Sequence, residues 1–139
     1  MTSATDSGHH YSCHVRFSDV DVYGHVNNVK YFEYYQEARI DFLAVMRAAD
    51  EPHLATVLAR IDVDYKRPIL FRPEPYDVHT RVSHVGTSSY RLDSEIRDGE
   101  RLLSKATAVL VAFDLNAQRS RPLTDQEREA LQASLVDPS

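Results

Sequence analysis

Cysteine occurs once in the 139-residue chain, at Cys13. That excludes an internal disulfide and any zinc site built from several thiolates, and it fits a reducing, cytoplasmic compartment. Cys13 itself reads as a small buried apolar side chain. Long apolar runs are missing too. Nothing approaches the ~20 residues that span a bilayer, and the opening residues MTSATDSGHH hold no apolar core of a secretion signal. A membrane is therefore not an expected partner. Nor is there an excess of basic residues: the formal net charge is -5, so no nucleic-acid partner is expected and any anionic ligand must be held by local groups. Repeats, low-complexity tracts and interdomain linkers are absent as well. What is present is 42% hydrophobic residues, enough for one core without staples. The expected organisation is a flexible N-terminus over 1–10, one domain over 11–123, and a short C-terminal helix and tail over 124–139. His9, His10 and His14 form no helical His-x3-His pair, and the first two lie in a Ser/Thr-rich terminus, so no metal site is expected there.

Periodicity places the elements. Tyr11, Cys13, Val15 and Phe17 alternate with Ser12, His14, Arg16 and Ser18, which predicts a half-buried strand. The period then changes. Tyr31, Tyr35, Ala38, Phe42, Val45 and Ala49 recur at helical spacing, which predicts a long helix that Pro52 closes near Asp50–Glu51. Lys30, Glu33, Glu37 and Asp41 form its one narrow polar stripe, so most of the helix is expected to be wrapped by other structure. Strands follow over Val57–Lys66, where Val57, Ala59, Ile61, Val63 and Tyr65 alternate with Leu58, Arg60, Asp62, Asp64 and Lys66, and over Tyr76–Val82, Tyr90–Ile96 and Leu102–Phe113. Gly86-Thr87-Ser88 marks one turn, and Asp98-Gly99 a two-residue hairpin. Thr124-Asp125-Gln126-Glu127 has the form of a capping box at the start of a C-terminal helix. Strands joined by short turns pair antiparallel, and their apolar face needs a cover. The predicted fold is α+β, a curved antiparallel sheet wrapped around one long central helix.

The chemistry concentrates between strand and helix, in DVDVYGHVNNVKY, Asp19 to Tyr31. Its Asp-x-Asp-x-x-Gly opening has the form of a calcium loop, but Tyr23 and Lys30 stand where such a loop needs an oxygen donor and a bidentate Glu. A Gly-x-Ser-x-Gly elbow is absent, and Cys13 falls on an inward strand face, which argues against a nucleophilic triad. Asn27-Asn28 suits a helix start, where asparagine oxygen caps an orphan N–H. The remaining free N–H groups and the positive end of the helix dipole favour developing negative charge. Asp21 beside such a site is the minimum for cleaving an activated ester such as a thioester. Two readings stay open on the residues alone: a reaction centre, or a polar turn in which Asp19 and Asp21 cap the loop and Gly24 supplies a positive φ.

RFSDVDVYGHVNNVKYFEYYQEAR, Arg16 to Arg39, resembles the signature of single-domain hotdog-fold acyl-CoA thioesterases of the 4-hydroxybenzoyl-CoA thioesterase type. The same core is similar to that of plant acyl-carrier-protein thioesterases. VDYKRP, VGTSSYRLDSEI and DGERLLSKATAVLVAFD match the family's strands more loosely. The resemblance implies a hotdog fold. It implies Asp21 as nucleophile or general base, a thioester-polarising backbone N–H near Asn28, and His25 at the position of a histidine used by the plant-type enzymes. Tyr23 stands where the plant motif has a catalytic Asn, a departure that bears on water activation and on carrier-protein specificity. The resemblance further implies an acyl-CoA substrate and no cofactor. It also implies homodimers, joined sheet edge to sheet edge with the active site between subunits, which often pair into homotetramers. Ser88 and Ser89, after Gly86, resemble positions near the thioester in relatives. Lys66, Arg67 and Arg72 are candidates for the coenzyme A phosphates, and Tyr23 and Gly24 for substrate contacts. Glu33 and Glu37 match a helix carboxylate of another hotdog branch, though Lys30 beside Glu33 suits a surface pair. The rival readings are an acyl-carrier-protein thioesterase and a non-catalytic acyl-thioester binding module.

Overall fold

A computed structural model describes residues 8–46 and 54–135. The elements run β1 (His9–Cys13), a 3-10 turn (Phe17–Asp19), α1 (Asn28–Met46), β2 (Leu54–Tyr65), β3 (Tyr76–Val85), β4 (Ser89–Asp98), β5 (Arg101–Asp114), β6 (Arg119–Ser120) and α2 (Asp125–Ala133). One antiparallel sheet has the order β1-β3-β4-β5-β2, with the short β6 added to β5. Register shifts interrupt three of its ladders, between Leu58 and Arg60, Val82 and His84, and Ile96 and Arg97. Such bulges bend strands and increase twist, and the sheet is accordingly curved.

The core lies between this sheet and α1. The helix buries Tyr31, Tyr34, Tyr35, Ala38 and Phe42 and packs on β1 and β3. Facing it are Tyr76, Val78, Thr80 and Val82 of β3, Tyr90, Leu92 and Ile96 of β4, and Ala106, Ala108, Leu110 and Ala112 of β5. The polar positions on this face are all bonded: Thr80 Oγ1 meets Ser94 Oγ at 2.9 Å, and Ser104 Oγ accepts from Tyr35 Oη at 2.7 Å and donates to the Asp64 carbonyl at 2.8 Å. Thr124 and Glu127 form the expected capping box, each side chain accepting from the other's backbone N–H at 3.0 and 2.9 Å.

Several expectations are corrected. The first strand runs His9–Cys13 and does not reach Ser18. Its early end follows from Asp19, whose carboxylate accepts the Arg16 N–H at 3.0 Å and curls the chain into the 3-10 turn. Phe17, expected inward, is therefore 80% exposed. The bulge between Leu58 and Arg60 changes the phase of β2, so Ile61 and Val63 pack on the core while Val57 is exposed. The β4–β5 hairpin turns on Gly99–Glu100, between paired Asp98 and Arg101. That is one residue later than expected, because Gly99 at φ 62° supplies the glycine-first pattern of a type II′ turn. Finally, α1 is covered on one side only: Val29, Phe32 and Ile40 are exposed, since a single sheet reaches one face of a helix. Its expected close near Asp50–Glu51 falls outside the described residues.

Candidate active site

The segment between the 3-10 turn and α1 folds back on itself. Asp21 N–H donates to the His25 carbonyl at 2.9 Å, Asn27 N–H to the Asp19 carbonyl at 2.9 Å, and Gly24 N–H to the Asp21 carbonyl at 3.0 Å. Val20 bridges Val26. The result is a miniature hairpin with Asp21 opposite His25, turned by Val22, Tyr23 and a Gly24 held at φ 78°. Its second limb pairs with the proline-rich connection between β2 and β3: Val26 N–H donates to the Ile69 carbonyl at 2.8 Å and Phe71 N–H to the Gly24 carbonyl at 3.1 Å. Each hydrogen bond leaves one fewer way for the loop to move.

Asp21 lies on the surface of this hairpin. Its Oδ1 accepts the N–H groups of Tyr23 at 2.9 Å and His25 at 3.1 Å. Among the described residues its Oδ2 has no partner. The two carboxylates of the motif are thus in opposite situations, because Asp19 is 0% exposed. Asp19 accepts from Tyr34 Oη at 2.6 Å and from Arg16 Nη2 at 3.0 Å, with Lys30 Nζ at 3.9 Å. Burial alone would raise its pKa, but the hydrogen bonds from Tyr34 and Arg16 overcome that and hold it below the usual carboxylate range.

A cleft of about 390 Å³ opens beside the hairpin, lined by Asp21, His25, Asn27, Asn28, Tyr31 and Tyr65 together with Val26, Lys66, Arg67 and Pro68. α1 starts at Asn28, and Asn28, whose N–H has no intrahelical acceptor, lines the wall. The Lys30 N–H is taken by the Asn27 carbonyl at 2.9 Å. At the cleft's other wall, the Lys66 and Arg67 N–H groups both donate to the Leu103 carbonyl, at 2.9 and 3.0 Å, which fixes where two cations leave the sheet.

The structure therefore brings together Asp21, His25, Asn28, Lys66 and Arg67. Tyr23 sits on the hairpin turn, its ring 6.3 Å from that of His25, next to Gly24. Arg72 lies elsewhere: it pairs with Asp98 at 3.0 Å, stacks over Tyr76 at 3.8 Å and donates to the Glu74 and Pro75 carbonyls. Ser88 and Ser89 are at the far end of the sheet. Ser89 pairs with Val111 of β5 while Tyr65 pairs with Ser104, and from Ser104 to Val111 a strand rises roughly 23 Å. Glu33 is held in surface pairs with Lys30 at 3.1 Å and Arg16 at 3.3 Å. Cys13 is buried, and burial pushes its thiol up to about 12, far from a reactive thiolate. His9 and His10 stand in β1, bonded to Asp41 at 2.7 Å and Asp77 at 2.9 Å. No cluster of three or more metal-ligating side chains occurs among the described residues, and no helix among them is long and apolar enough to cross a membrane.

Tyr65 was not singled out from the sequence. It closes the cleft where β2 ends, its hydroxyl donating to the Asn28 carbonyl at 3.1 Å and its ring lying edge to face on Tyr31 at 4.7 Å. The only sequence signal was its place as the last inward residue of the β2 alternation.

Residues 15–134 match the thioesterase-like superfamily. The chain is 33% identical over 123 residues to the protein YsmA of Bacillus subtilis, covering 84% of this chain and 80% of that one. It is 28% identical over 124 residues to the long-chain acyl-CoA thioesterase FadM of Escherichia coli, covering 85% of this chain and 92% of that one. A thioesterase of Thermus thermophilus solved with coenzyme A and zinc superimposes with a TM-score of 0.79 at 32% identity, over 97% of this chain and 98% of that one. The fold and these relatives together mark a hotdog thioester hydrolase. The chain belongs to the thioesterase-like superfamily.

Proposed function

We propose that the protein hydrolyses acyl-CoA thioesters, with Asp21 as the nucleophile or general base. The observation that carries this reading is the asymmetry of the Asp21 carboxylate. Two backbone N–H groups hold Oδ1, while Oδ2 has no partner among the described residues, beside a cleft that the start of α1 also lines. In one route Oδ2 adds to the thioester carbonyl, the C–S bond breaks, and water later cleaves the resulting anhydride. In the other, Asp21 takes a proton from water as its oxygen adds to the carbonyl. Either way the carbonyl oxygen becomes an oxyanion, for which the N–H groups at Asn28 are suited donors, and CoA leaves as a thiolate that is then protonated. His25, on the same cleft wall, serves proton traffic or orientation.

CoA is favoured over a carrier protein because Lys66 and Arg67 stand on the cleft wall, where phosphates of a nucleotide tail can meet them. The long-chain acyl-CoA thioesterase activity of FadM and the coenzyme A bound to the Thermus enzyme support that choice. The edge strand supports a homodimer. β2 ends the sheet with Val57 and Leu58 exposed, and an open edge strand of this length invites antiparallel pairing with a second copy. Pairing about the middle of β2 carries the partner's Ser88–Ser89 turn toward the level of Tyr65, which is how the far end of one sheet would complete the other's cleft.

Free-thiol release from a panel of acyl-CoAs and acyl-carrier proteins tests the reading. Turnover of acyl-CoA is expected, with KM raised about tenfold in Lys66→Ala/Arg67→Ala and little change on an acyl-pantetheine, which lacks the nucleotide. Turnover confined to carrier-protein substrates would replace CoA in this account. CoA binding without turnover of any substrate would make the protein a binding module.

A further inference from the structure

The hairpin that presents Asp21 is bolted to the helix that presents the N–H groups, and the bolt is the other aspartate. Asp19 is the first residue of the hairpin's first limb. Its backbone carbonyl accepts the Asn27 N–H at 2.9 Å, closing the base of the hairpin one residue before α1. Its side chain turns inward and meets α1 at two positions, Tyr34 Oη at 2.6 Å and Lys30 Nζ at 3.9 Å. It also accepts the Arg16 N–H at 3.0 Å, fixing the chain that enters the hairpin. Thus one wholly buried residue is tied through its carboxylate to the chain before the hairpin and to the first turns of α1, and through its backbone carbonyl to the hairpin's base. Asp21 lies two residues away and its own side chain bonds only within the hairpin.

We propose that Asp19 and Tyr34 are positioning residues that set the placement of the Asp21 carboxylate relative to the N–H groups at the start of α1. The physical reason is geometric. A nucleophile or base on one segment and oxyanion donors on another act together only at a defined separation, and an error of about 1 Å can cost 10²-fold in rate. A hairpin held by backbone bonds alone can rock about its base. The Tyr34 hydroxyl, donated to an ionised and fully enclosed acceptor, is a charge-assisted bond of the strong kind and removes that freedom. Neither residue touches the cleft, so neither contributes to binding substrate. The inference rests on the proposed role of Asp21, but the mechanical part stands apart from it.

Tyr34→Phe removes one hydroxyl and keeps the buried ring; Asp19→Asn keeps the shape and removes the charge. Each full-length variant is first checked for folding by circular dichroism. For an acyl-CoA that wild type hydrolyses, kcat is expected to fall 10- to 100-fold in both variants, with KM and the Kd for CoA itself within about twofold of wild type. Hydrogen exchange provides a readout that needs no turnover. Exchange of the Asp21 and Asn27 amides is expected to speed up about tenfold in Tyr34→Phe, while amides of β4 and β5 exchange as before. Unchanged exchange at Asp21 and Asn27, or an unchanged kcat in a folded Tyr34→Phe, overturns the proposal, as does a loss carried wholly by KM. If wild type releases no thiol from any substrate while exchange accelerates as expected, the thioesterase role of Asp21 fails and the clamp remains; acceleration spread equally over β4 and β5 marks Tyr34 as a general core residue and overturns the clamp.

Discussion

The Tyr65 hydroxyl donates to the Asn28 carbonyl across 3.1 Å, joining the last residue of the open edge strand to the first residue of the central helix. An edge strand and a helix terminus are the two parts of this fold most free to drift, and this bond ties each to the other at the wall of the cleft. Its acceptor shares a peptide group with the Val29 N–H, so it also steadies a donor in the turn assigned to the oxyanion.

Tyr65→Phe is expected to keep the edge-to-face ring contact with Tyr31 and lose only this bond. A neutral hydrogen bond contributes about 1 kcal/mol, so kcat should fall about fivefold, and thermal stability should barely change because Tyr65 is half-exposed. Steady-state thiol-release kinetics check both parts. A change in KM alone would place Tyr65 in substrate binding instead.

Gly24 offers a separation of backbone from packing. It sits at φ 78°, and a Cβ there meets nothing within 4 Å. Gly24→Ala therefore strains only the backbone, at about 1–2 kcal/mol, and Gly24→Asn should cost less because asparagine tolerates this region. Urea denaturation of the two variants gives the order; equal costs would mean the hairpin turn has relaxed into another conformation.

Arg121 anchors α2. Its guanidinium donates to both carboxylate oxygens of Glu127 at 2.7 and 3.0 Å, to the Phe113 carbonyl at 3.1 Å and to the Ala55 carbonyl at 3.0 Å, and it is nearly enclosed. Arg121→Ala leaves several acceptors unmatched and should lower stability by about 3 kcal/mol. Arg121→Lys should recover only part, lacking the planar fork. Chemical denaturation checks the magnitude.

Acid should weaken the fold through carboxylates held low in the folded state, Asp19 and Glu127 among them. Burial would raise the pKa of Asp19 and of Glu127, but hydrogen bonds, led by Tyr34 for Asp19 and Arg121 for Glu127, hold both below their unfolded values. Each binds a proton less readily folded than unfolded, so its contribution is complete above the unfolded carboxylate range near ~4 and is lost as pH falls through the lower folded value. Melting temperature should therefore drop steeply below about pH 4, and the drop should be shallower in Asp19→Asn. An equally steep drop in that variant would remove Asp19 from the acid response.

Periodicity made much of the fold legible. The 4-and-3 spacing of Tyr31, Tyr35, Ala38 and Phe42 named the buried face of α1, and the period-two runs in β3 and β4 named Tyr76, Val78, Val82, Tyr90, Leu92 and Ile96, all buried. Periodicity reports which side chains share a face, not what covers it, so the open stripe of Val29, Phe32 and Ile40 was read as wrapped. It also carries no information about a change of phase. The bulge after Leu58 and the Asp19-capped turn both reverse an alternation, and both misplaced a side chain, Val57 and Phe17.

Within the site, residues adjacent in sequence were legible and distant ones less so. Asp21, His25 and Asn28 lie in one loop, and Lys66 and Arg67 reach the same cleft because both N–H groups hang from the Leu103 carbonyl. Arg72 looked equivalent to them by charge, but its ion pair with Asp98 and its stacking on Tyr76 are long-range contacts that no local pattern announces. The opposite surroundings of Asp19 and Asp21 were hidden for the same reason. Burial of one and exposure of the other depend on Tyr34, a helix residue whose hydroxyl has no periodic signature.

The central claim is that the Asp21 carboxylate acts in thioester cleavage. Asp21→Asn tests it with little disturbance, because the amide oxygen can still accept the Tyr23 and His25 N–H groups that hold the loop. The measurement is kcat for free-thiol release from an acyl-CoA that wild type turns over, with melting temperature and CoA affinity taken alongside. The account predicts a loss of at least about 100-fold with both controls unchanged. A folded Asp21→Asn that binds CoA and retains kcat within about threefold of wild type would contradict it.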